Sequence, residues 1–381
     1  MARKINISKI ILGILGGGQL GLMLIQAAHK LGLRCAVLDP DASTPAMQIA
    51  DIRIVGKLND ETAIKKLVEV STHITYEIES PDVAVLKKFT KQVKINPDPD
   101  TFAYTQDKFL QKKFLADLAI PMAPFASIKS KDDIITFISY HGLPCVLKLR
   151  KHGYDGRGNF VIRKKSDILP AFKKFGDSSL YCEVFIRWKR ELAIQVGRSI
   201  KGKLFFFPIV ETIQKDGICH IVKAPAKITP TLQKKIHKIS KTIVSSFRGA
   251  GVFGIEFFET NDGDILVNEL APRVHNSGHH TIESCSISQF EAHVRLVCDL
   301  LMKKPRMIVP AAVMFNILGK KNATATVVFA DSRKIGNNTF IHIYGKTESR
   351  IGRKMGHITI VGSHHGALLK RAKRIRERIN I

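Results

Sequence analysis

The sequence is poor in cysteine and has no paired-cysteine motif. Six cysteines are scattered through 381 residues, and none stands in a C-x-x-C pair or at a metal-ligand spacing. This pattern excludes a disulfide-stapled secreted scaffold and the common cysteine-based zinc modules. We therefore expect reduced, mostly buried thiols in a cytoplasmic protein. Fixed-period repeats and low-complexity tracts are also absent, which excludes a solenoid.

The chain lacks a long, uninterrupted hydrophobic run. Residues 10–28 contain no Lys, Arg, Asp or Glu, but five glycines interrupt them and no small-residue cleavage site follows. These features argue against export and against insertion into a membrane.

Acidic residues are few compared with basic ones. The chain has 33 Asp and Glu against 60 Lys and Arg, a formal charge of +27. The tail "LLKRAKRIRERINI" (368–381) predicts a basic helix, and such charge is typical of nucleic-acid binding. However, basic residues lie along every segment, and no zinc-finger, RNP-like or helix-turn-helix pattern occurs. We expect a lysine-rich surface that favours small anionic ligands, with neither nucleic acid nor a membrane as partner.

The first 100 residues alternate apolar runs with amphipathic stretches, as in "IILGIL", "CAVLD", "DIRIVG", "HITYEIE" and "VKINP". This rhythm predicts a parallel sheet with helices on both faces. Gly16, Gly18 and Gly21 form G-x-G-x-x-G between a strand and a helix, and Asp39 ends the second strand. That is the dinucleotide-binding fingerprint, so an NAD-dependent oxidoreductase is one alternative.

Two breaks, "NPDPDTF" (96–102) and "MKKPRMIVPA" (302–311), divide the chain into three units. We place these units at 1–100, 101–302 and 303–381. The middle unit is strand-rich, with strands predicted near 144–149, 159–163, 180–185, 191–198, 203–211, 252–258 and 264–270. Its helices are predicted near 131–140, 230–248 and 287–302. Short strands and the basic helix make up the last unit, so the fold class is α/β followed by α+β.

A second glycine loop lies in "CVLKLRKHGYDGRGNFVIR" (145–163). A strand carries Lys148, three glycines open a turn at 153–158, and a second strand starts at Asn159. A loop between antiparallel strands can fold over phosphates and offer its N–H groups, while Lys148 and Arg157 supply positive charge. An ordinary glycine-rich hairpin is the alternative.

Two carboxylates face each other across a predicted hairpin in "GVFGIEFFETNDGDILVNELAPR" (251–273). If Asp262 and Gly263 form a two-residue turn, counting outward places Glu256 opposite Glu269. Their Cβ atoms are then about 4.5–5.5 Å apart. A bulge in the turn would shift this register.

Two like charges at that distance, among apolar neighbours, are unfavourable unless something compensates them. A divalent cation does so, and two carboxylates with the Asn268 amide suit a Mg²⁺ that carries phosphates. The alternative is a protonated or arginine-paired acid, with Arg273 as partner.

The segment "APRVHNSGHH" (271–280) follows directly and concentrates polar side chains beside these carboxylates. They are Arg273, His275, Asn276, His279 and His280. The adjacent His279-His280 pair lacks a spaced acid, so an anion-binding loop is favoured over a zinc site.

With "GYDGRGN", "GIEFF" and "NELAPRVHNSGHH", the sequence resembles the ATP-grasp superfamily. Within it, the chain is similar to the 5-(carboxyamino)imidazole ribonucleotide synthase family along essentially its whole length. The matching segments are "GILGGGQLG", "TYEIES" (75–80), "QDK" (106–108), "FPIVETIQKDGI" (207–218) and "YGKTESRIGRKMGH" (344–357).

The resemblance implies an ATP-dependent carbon–nitrogen ligase of purine biosynthesis. ATP and bicarbonate carboxylate the amine of aminoimidazole ribonucleotide through carboxyphosphate, giving ADP and phosphate. It further implies a Rossmann-like N-terminal domain whose glycine loop helps hold the phosphoribosyl substrate. A central ATP-grasp domain of antiparallel sheets with helices and a small β-rich C-terminal domain follow. A cytoplasmic homodimer is expected.

The resemblance also assigns roles to residues at matching positions. For ATP these are Lys108, Lys148, Gly153, Tyr154, Asp155, Gly156, Arg157, Gly158, Asn159, Glu183, Ile186, Glu191, Gln214, Asn268 and Glu269, with 153–159 as the lid. Mg²⁺ falls to Glu256 and Glu269. Arg273, His275 and Asn276 are expected to form the bicarbonate and carboxyphosphate pocket. Together with Lys148 they are the expected catalytic residues. The imidazole ribonucleotide falls to Gln19, Glu77, Tyr154, Asp155, Lys346 and Arg353.

Some positions depart from the family pattern. Lys108 and Arg157 exchange the expected Arg and Lys, Asn159 replaces Gln, and Thr212 and Gln214 stand where Asn and often His occur. Arg and Lys are not equivalent at bidentate sites, so these changes concern individual ATP contacts.

Two enzyme alternatives remain open. Another ATP-grasp ligase, of the formate-dependent transformylase or biotin carboxylase type, shares the ATP half, but "YGKTESRIGRKMGH" argues against it. An NAD-dependent oxidoreductase leaves the carboxylate hairpin and the second glycine loop unexplained.

Overall fold

The structure, a computed structural model, describes residues 6–151, 153, 158–176, 178–326, 328–329, 336–376 and 378–380. The N-terminal unit alternates strands and helices. It contains β1 (Ile11–Leu15), α1 (Gln19–Lys30), β2 (Arg34–Asp39), β3 (Ile52–Val55), α2 (Glu61–Val70), β4 (His73–Tyr76), α3 (Val83–Lys88) and β5 (Lys94–Ile95). All five strands are parallel, in the order β3-β2-β1-β4-β5.

Helices cover both faces of this sheet, as the alternating pattern predicts. On one face α1 packs in a core with α10 (Gln289–Val297), and on the other α2 packs against Leu15, Ala36 and Leu38. Helix α2 shows how the sequence specifies such an element. Asp60 caps its N-terminus by accepting from the Thr62 N–H, and its apolar residues fall on one buried side.

A small antiparallel sheet follows two helices. The elements are α4 (Pro99–Gln106), α5 (Lys108–Asp117), β6 (Phe125–Ile128), α6 (Lys131–His141), β7 (Cys145–Leu149), β8 (Asn159–Ile162), α7 (Ile168–Phe175) and β9 (Leu180–Val184). The strand order is β6-β9-β7-β8, and Lys148 lies opposite Asn159 in the β7–β8 pair. The second glycine loop therefore does join antiparallel strands.

A nine-stranded sheet forms the largest layer. Its central part contains β10 (Trp188–Arg198), β11 (Leu204–Phe206), β12 (Val210–Lys215), β13 (Ile218–Ala224), α8 (Pro230–Ser246), β14 (Gly251–Thr260), β15 (Ile265–Ala271) and α9 (Thr281–Ser284), then α10. The single strand predicted at 203–211 is in fact β11 and β12. The helix predicted to reach 302 ends at Val297, because Asp299 adopts a positive φ of 53°.

The C-terminal strands divide between the large sheet and two small sheets. They are β16 (Ala311–Leu318), β17 (Ala323–Thr324), β18 (Val328–Phe329), β19 (Thr339–Ile343), β20 (Glu348–Ser349) and β21 (Lys354–Gly362), followed by α11 (His365–Arg376) and β22 (Ile379–Asn380). Three of them, β16, β19 and β21, join the large sheet, whereas β17 pairs with β20 and β18 with β22 in two small separate sheets. The main path runs β15-β14-β10-β12-β13-β16-β21-β19, so β16 extends the central sheet through β13. The basic tail predicted to be helical over 368–381 forms α11 only as far as Arg376, and Ile379–Asn380 form the strand β22 instead.

All six cysteines are buried and none is in a disulfide, as their spacing predicts. Among the residues that the structure describes, no helix is long and apolar enough to cross a membrane.

Candidate active site

Two glutamates meet on neighbouring strands of the large sheet. Glu256 on β14 lies directly opposite Glu269 on β15, as predicted. The route to this register differs from the prediction, because the turn closes between Thr260 and Asp264 and leaves three residues in the loop. A bulge at Asn268 adds one residue on β15 and restores the pairing. Arg273 pairs with neither glutamate, which removes the arginine-paired alternative.

The surroundings drive the titration of the two glutamates apart. Burial, then the charges of Glu269 and Glu191, raise the pKa of Glu256 to about 8. Burial also acts on Glu269, but the charge and hydrogen bond of Lys108, together with the Lys148 charge, hold the pKa of Glu269 below its usual range. Lys108 Nζ lies 3.1 Å from both carboxylate oxygens of Glu269. A pair in which one acid resists ionisation is a site that a further cation stabilises.

The "QDK" segment places Lys108 at the first turn of α5. The Asp107 carboxylate caps this helix by accepting from the N–H groups of Phe109 and Leu110. Arg150 donates to the same carboxylate at 2.7 Å, and its carbonyl accepts from the Lys108 N–H at 2.8 Å. Helix α5 and the end of β7 are thereby joined beside the glutamates.

A buried ion-paired triad lies behind Lys108. Glu183 on β9 contacts both Lys148 on β7 and Lys112 on α5, the latter at 3.1 Å. Although burial opposes ionisation, the two ammonium groups lower the pKa of Glu183 to about 2. The Glu183 side chain, which the resemblance assigns to ATP, holds Lys148 in place. Lys112 was missed, although its i, i+4 spacing from Lys108 puts both lysines on one side of α5.

Other residues that the resemblance assigns to ATP lie on the large sheet or on the segment that leads into it. Glu191 on β10 faces Thr212 on β12, and burial raises the pKa of Glu191 to about 7 despite a hydrogen bond from Gln214. Ile186 is half-buried in the segment between β9 and β10.

Only part of the predicted lid can be described. Tyr154, Asp155, Gly156 and Arg157 lie outside the described residues. At its base, Gly153 and Gly158 pack so closely that a Cβ on Gly158 would stand 2.7 Å from the Gly153 Cα.

The polar residues in the segment after β15 contact three different parts of the structure. Arg273 pairs with Glu79 at 3.1 Å, and His275 Nε2 lies 3.5 Å from Glu256 Oε1. Burial, Arg273 and Lys354 lower the pKa of His275 to about 3, so this imidazole is neutral. The Asn276 amide forms reciprocal hydrogen bonds with Asn316 of β16, at 2.8 and 3.1 Å.

His279 and His280, predicted to belong to an anion-binding loop, turn away from the glutamates. Both are fully buried. His280 contacts Ser284 at 2.7 Å, and the His279 ring packs 5.0 Å from that of His357 on β21. They fill the junction with the C-terminal strands because the chain turns into α9 at this point. Among the described residues, one group of three His, Cys, Asp or Glu side chains has all its ligand atoms within 4.8 Å of one another, namely His29, Cys35 and Asp51, and it lies elsewhere.

Internal carboxylates occupy the first glycine loop. Glu77, at the end of β4, accepts from the N–H groups of Gly18 at 2.9 Å and Gly21 at 3.2 Å, while Asp39 accepts from the Gly17 N–H at 2.7 Å. These N–H groups are the ones that a dinucleotide phosphate would use. In this arrangement the loop backbone is not free to hold a phosphate.

The C-terminal segment 344–354 brings positive charge to this loop. Burial raises the pKa of Glu77, and the charges of Arg273 and Lys346 oppose this rise. The charge of Arg353 adds to the Ser43 hydrogen bonds that lower the pKa of Asp41. The Gly345 carbonyl accepts from the Gln48 side chain at 2.9 Å, which joins the first and last units. Gln19 is half-buried at the start of α1. The sequence patterns did not single out Lys354, whose charge helps to lower the pKa of His275.

Three segments of the chain match known domains. Residues 9–106 match the ribonucleotide synthetase preATP-grasp domain and residues 113–290 the ATP-grasp domain. Residues 312–371 match the phosphoribosylaminoimidazole carboxylase C-terminal domain. N5-carboxyaminoimidazole ribonucleotide synthase of Bacillus subtilis is 35% identical over 361 residues, which are 95% of this chain and 94% of that protein. The chain belongs to the N5-carboxyaminoimidazole ribonucleotide synthase family.

Solved structures of this ATP-grasp ligase family agree. An ADP complex of N5-carboxyaminoimidazole ribonucleotide synthetase superposes with a TM-score of 0.91 at 33% identity and covers 98% of both chains. The Aspergillus clavatus synthase in complex with ADP and 5-aminoimidazole ribonucleotide gives 0.88 at 33% identity, over 97% of this chain and 98% of that one.

Some relatives are longer. Phosphoribosylaminoimidazole carboxylase of Schizosaccharomyces pombe is 42% identical over 360 residues, 93% of this chain but 65% of that protein. The chain spans slightly less than two thirds of the length of the fungal carboxylases it matches.

Proposed function

We propose that the protein uses ATP to join bicarbonate to the amine of aminoimidazole ribonucleotide, giving 5-(carboxyamino)imidazole ribonucleotide, ADP and phosphate. The observation that carries this proposal is the facing pair Glu256 and Glu269, with the Lys108 ammonium on Glu269 and the Lys148 ammonium near enough to lower the pKa of Glu269. Such a constellation suits phosphoryl transfer, where positioning and charge neutralisation supply most of the catalysis.

ATP is proposed to lie between the small sheet and the large sheet. Its phosphates meet Lys108, Lys148 and the lid at 153–159, and its nucleoside meets Ile186, Gln214 and the carboxylate of Glu191. The buried Glu183 supports this role by fixing the Lys148 ammonium. Lid closure excludes water, which otherwise hydrolyses an acyl phosphate.

The residues present fit a magnesium ion. The two glutamates face each other, and a cation between them would favour ionisation of Glu256, whose pKa is raised to about 8 without one; the Asn268 side-chain nitrogen lies 3.4 Å from Glu256. Glu256 and Glu269, with Asn268 beside them, are proposed to hold it. When bound, Mg²⁺ neutralises charge on the phosphate oxygens.

The acceptor substrates are proposed to lie where the three units meet. Bicarbonate attacks the γ-phosphoryl group, ADP leaves, and carboxyphosphate remains held by Arg273, His275 and Asn276. The amine then attacks its carbonyl carbon, phosphate leaves, and the amine loses a proton. Gln19 and Glu77 would face the imidazole, together with Tyr154 and Asp155 from the lid. Lys346 and Arg353 would bind the ribonucleotide phosphate, since both lie against the first unit.

We also propose that each chain has three domains, at 1–100, 101–302 and 303–381. The enzyme is proposed to be a cytoplasmic homodimer. The six free, buried thiols are consistent with a reducing compartment. Light scattering of the purified protein tests the dimer.

The test of the activity is ADP release with Mg-ATP and bicarbonate, measured with and without aminoimidazole ribonucleotide. We expect release to depend on the ribonucleotide. An equal rate of ADP release with and without the ribonucleotide would instead favour a different ATP-grasp ligase. Absence of release together with tight NAD binding would contradict the proposal.

A further inference from the structure

The backbone of His275 is held by the buried side chain of Gln289. The His275 N–H donates to Gln289 Oε1 at 2.9 Å, and Gln289 Nε2 donates to the His275 carbonyl at 2.7 Å. Gln289 is fully buried at the start of α10. One side chain therefore fixes both polar groups of this residue.

The imidazole of His275 is held by a second pair of buried residues. Its Nδ1 lies 2.8 Å from Ser277 Oγ, and Gln195 Nε2 donates to that same Oγ at 2.7 Å. Gln195 on β10 is fully buried and Ser277 is 1% exposed. Water therefore does not compete for these hydrogen bonds.

Counting hydrogens along this chain of contacts decides which ring nitrogen carries the proton. The Ser277 backbone N–H also points at His275 Nδ1, at 3.4 Å, so Nδ1 is an acceptor. The Ser277 hydroxyl must then donate its one hydrogen to Nδ1 and accept from Gln195. Because Nδ1 accepts and carries no hydrogen, the ring hydrogen is on Nε2.

The opposite side of the ring faces the glutamates. His275 Nε2 lies 3.5 Å from Glu256 Oε1. The Nε2–H group is therefore on the side of the ring where the anionic reactants are proposed to bind.

Two glycines allow the close packing around His275 and Gln289. A Cβ on Gly254 would stand 2.7 Å from the His275 Cβ, and a Cβ on Gly278 would stand 2.4 Å from Gln289 Oε1. Both glycines are needed for this approach of strand, loop and helix.

We propose that Gln195 and Ser277 are positioning residues that hold His275 as the Nε2–H tautomer, aimed at the anionic reactants. This inference rests on the proposed function. His275 then donates a hydrogen bond to an oxygen of bicarbonate or carboxyphosphate, and it does not accept the proton that the amine releases.

The direct test is the ¹⁵N spectrum of histidine-labelled protein. The His275 signals are assigned by their loss in His275→Gln. We expect Nε2 protonated and Nδ1 unprotonated in the wild type, and a mixture of tautomers in Ser277→Ala. Protonation of Nδ1 in the wild type would overturn the inference, and this result needs neither a stable variant nor an active enzyme.

Kinetics provide the second readout. Ser277→Ala is expected to lower kcat by about 10- to 100-fold, as is common when an orienting hydrogen bond is lost, with KM for ATP unchanged. Ser284→Ala is the matched control, because Ser284 is also fully buried and contacts Nδ1 of a histidine, His280, at 2.7 Å. It should keep the wild-type kcat.

The outcomes separate the two proposals. An unchanged kcat and an unchanged spectrum in Ser277→Ala refute the positioning role, even in an enzyme with ribonucleotide-dependent ADP release. If ADP release is absent from the wild type, the proposed function fails, and the wild-type spectrum still decides the tautomer.

Discussion

Replacing Glu256 with glutamine should remove a pH-dependent loss of stability. Glu256 has an ordinary pKa of 4.5 when exposed, and burial beside Glu269 raises it to about 8 in the folded protein. A carboxyl group with a raised pKa stabilises the fold fully below pH 4.5. That contribution is lost as the pH rises through about 8, because the buried group must then ionise.

The shift sets the size of the effect. At about 1.36 kcal/mol per pKa unit, full ionisation corresponds to about 5 kcal/mol of the free energy of unfolding. The Glu256 side chain is 20% exposed, so partial hydration reduces the free-energy cost of ionising it. We expect a measurable loss of about 3 kcal/mol in the wild type, which is absent in Glu256→Gln.

The assay is urea unfolding at about pH 5 and about pH 9, where the protonation of Glu256 differs. Comparing wild type with variant cancels the titration of other groups. Glu291→Gln removes a carboxylate on α10 that pairs with Arg295 and serves as the control. Mg²⁺ should restore stability to the wild type at high pH and not to Glu256→Gln. Equal pH dependence in the wild type and Glu256→Gln would refute the reasoning.

Three further substitutions test the site. Glu269→Gln should abolish ATP turnover, by about 10³-fold or more in ADP release, while circular dichroism shows an intact fold. Glu183→Gln leaves two ammonium groups facing each other and should lower the free energy of unfolding by about 3–5 kcal/mol, measured in urea. Gly254→Ala should displace His275 and lower kcat by about tenfold or more, whereas Gly366→Ala, with open space around its Cβ, should keep normal kcat.

Local patterns predicted much of the fold because they are decided by neighbours in the chain. The alternating apolar runs of the first 100 residues gave the parallel sheet, and the glycine loop after Lys148 does join antiparallel strands. The strand β13 was not predicted, although Asp216 and Gly217 form the turn before it with positive φ angles.

The carboxylate pairing shows where such reasoning is incomplete. The register of Glu256 and Glu269 was right, but the turn has one more residue than predicted and the bulge at Asn268 compensates. A bulge depends on how side chains pack across the two strands, which the turn sequence does not contain.

Contacts between distant segments were beyond the sequence patterns. Lys112 and Glu183 are separated by 71 positions, and the His279–His357 contact joins two units. Likewise, Glu77 fills the glycine loop from a neighbouring strand, so a matching fingerprint did not mean a free phosphate site.

The nine-stranded sheet has a consequence for fragments of this chain. Because β16 pairs with β13 through Ile221 to Ala224, a fragment that ends at residue 302 would leave the hydrogen-bonding groups of β13 without their neighbour. An exposed apolar strand edge recruits other chains. We expect such a fragment to aggregate. In the whole chain, β16 occupies this edge of β13 and so protects the large sheet from pairing with other molecules.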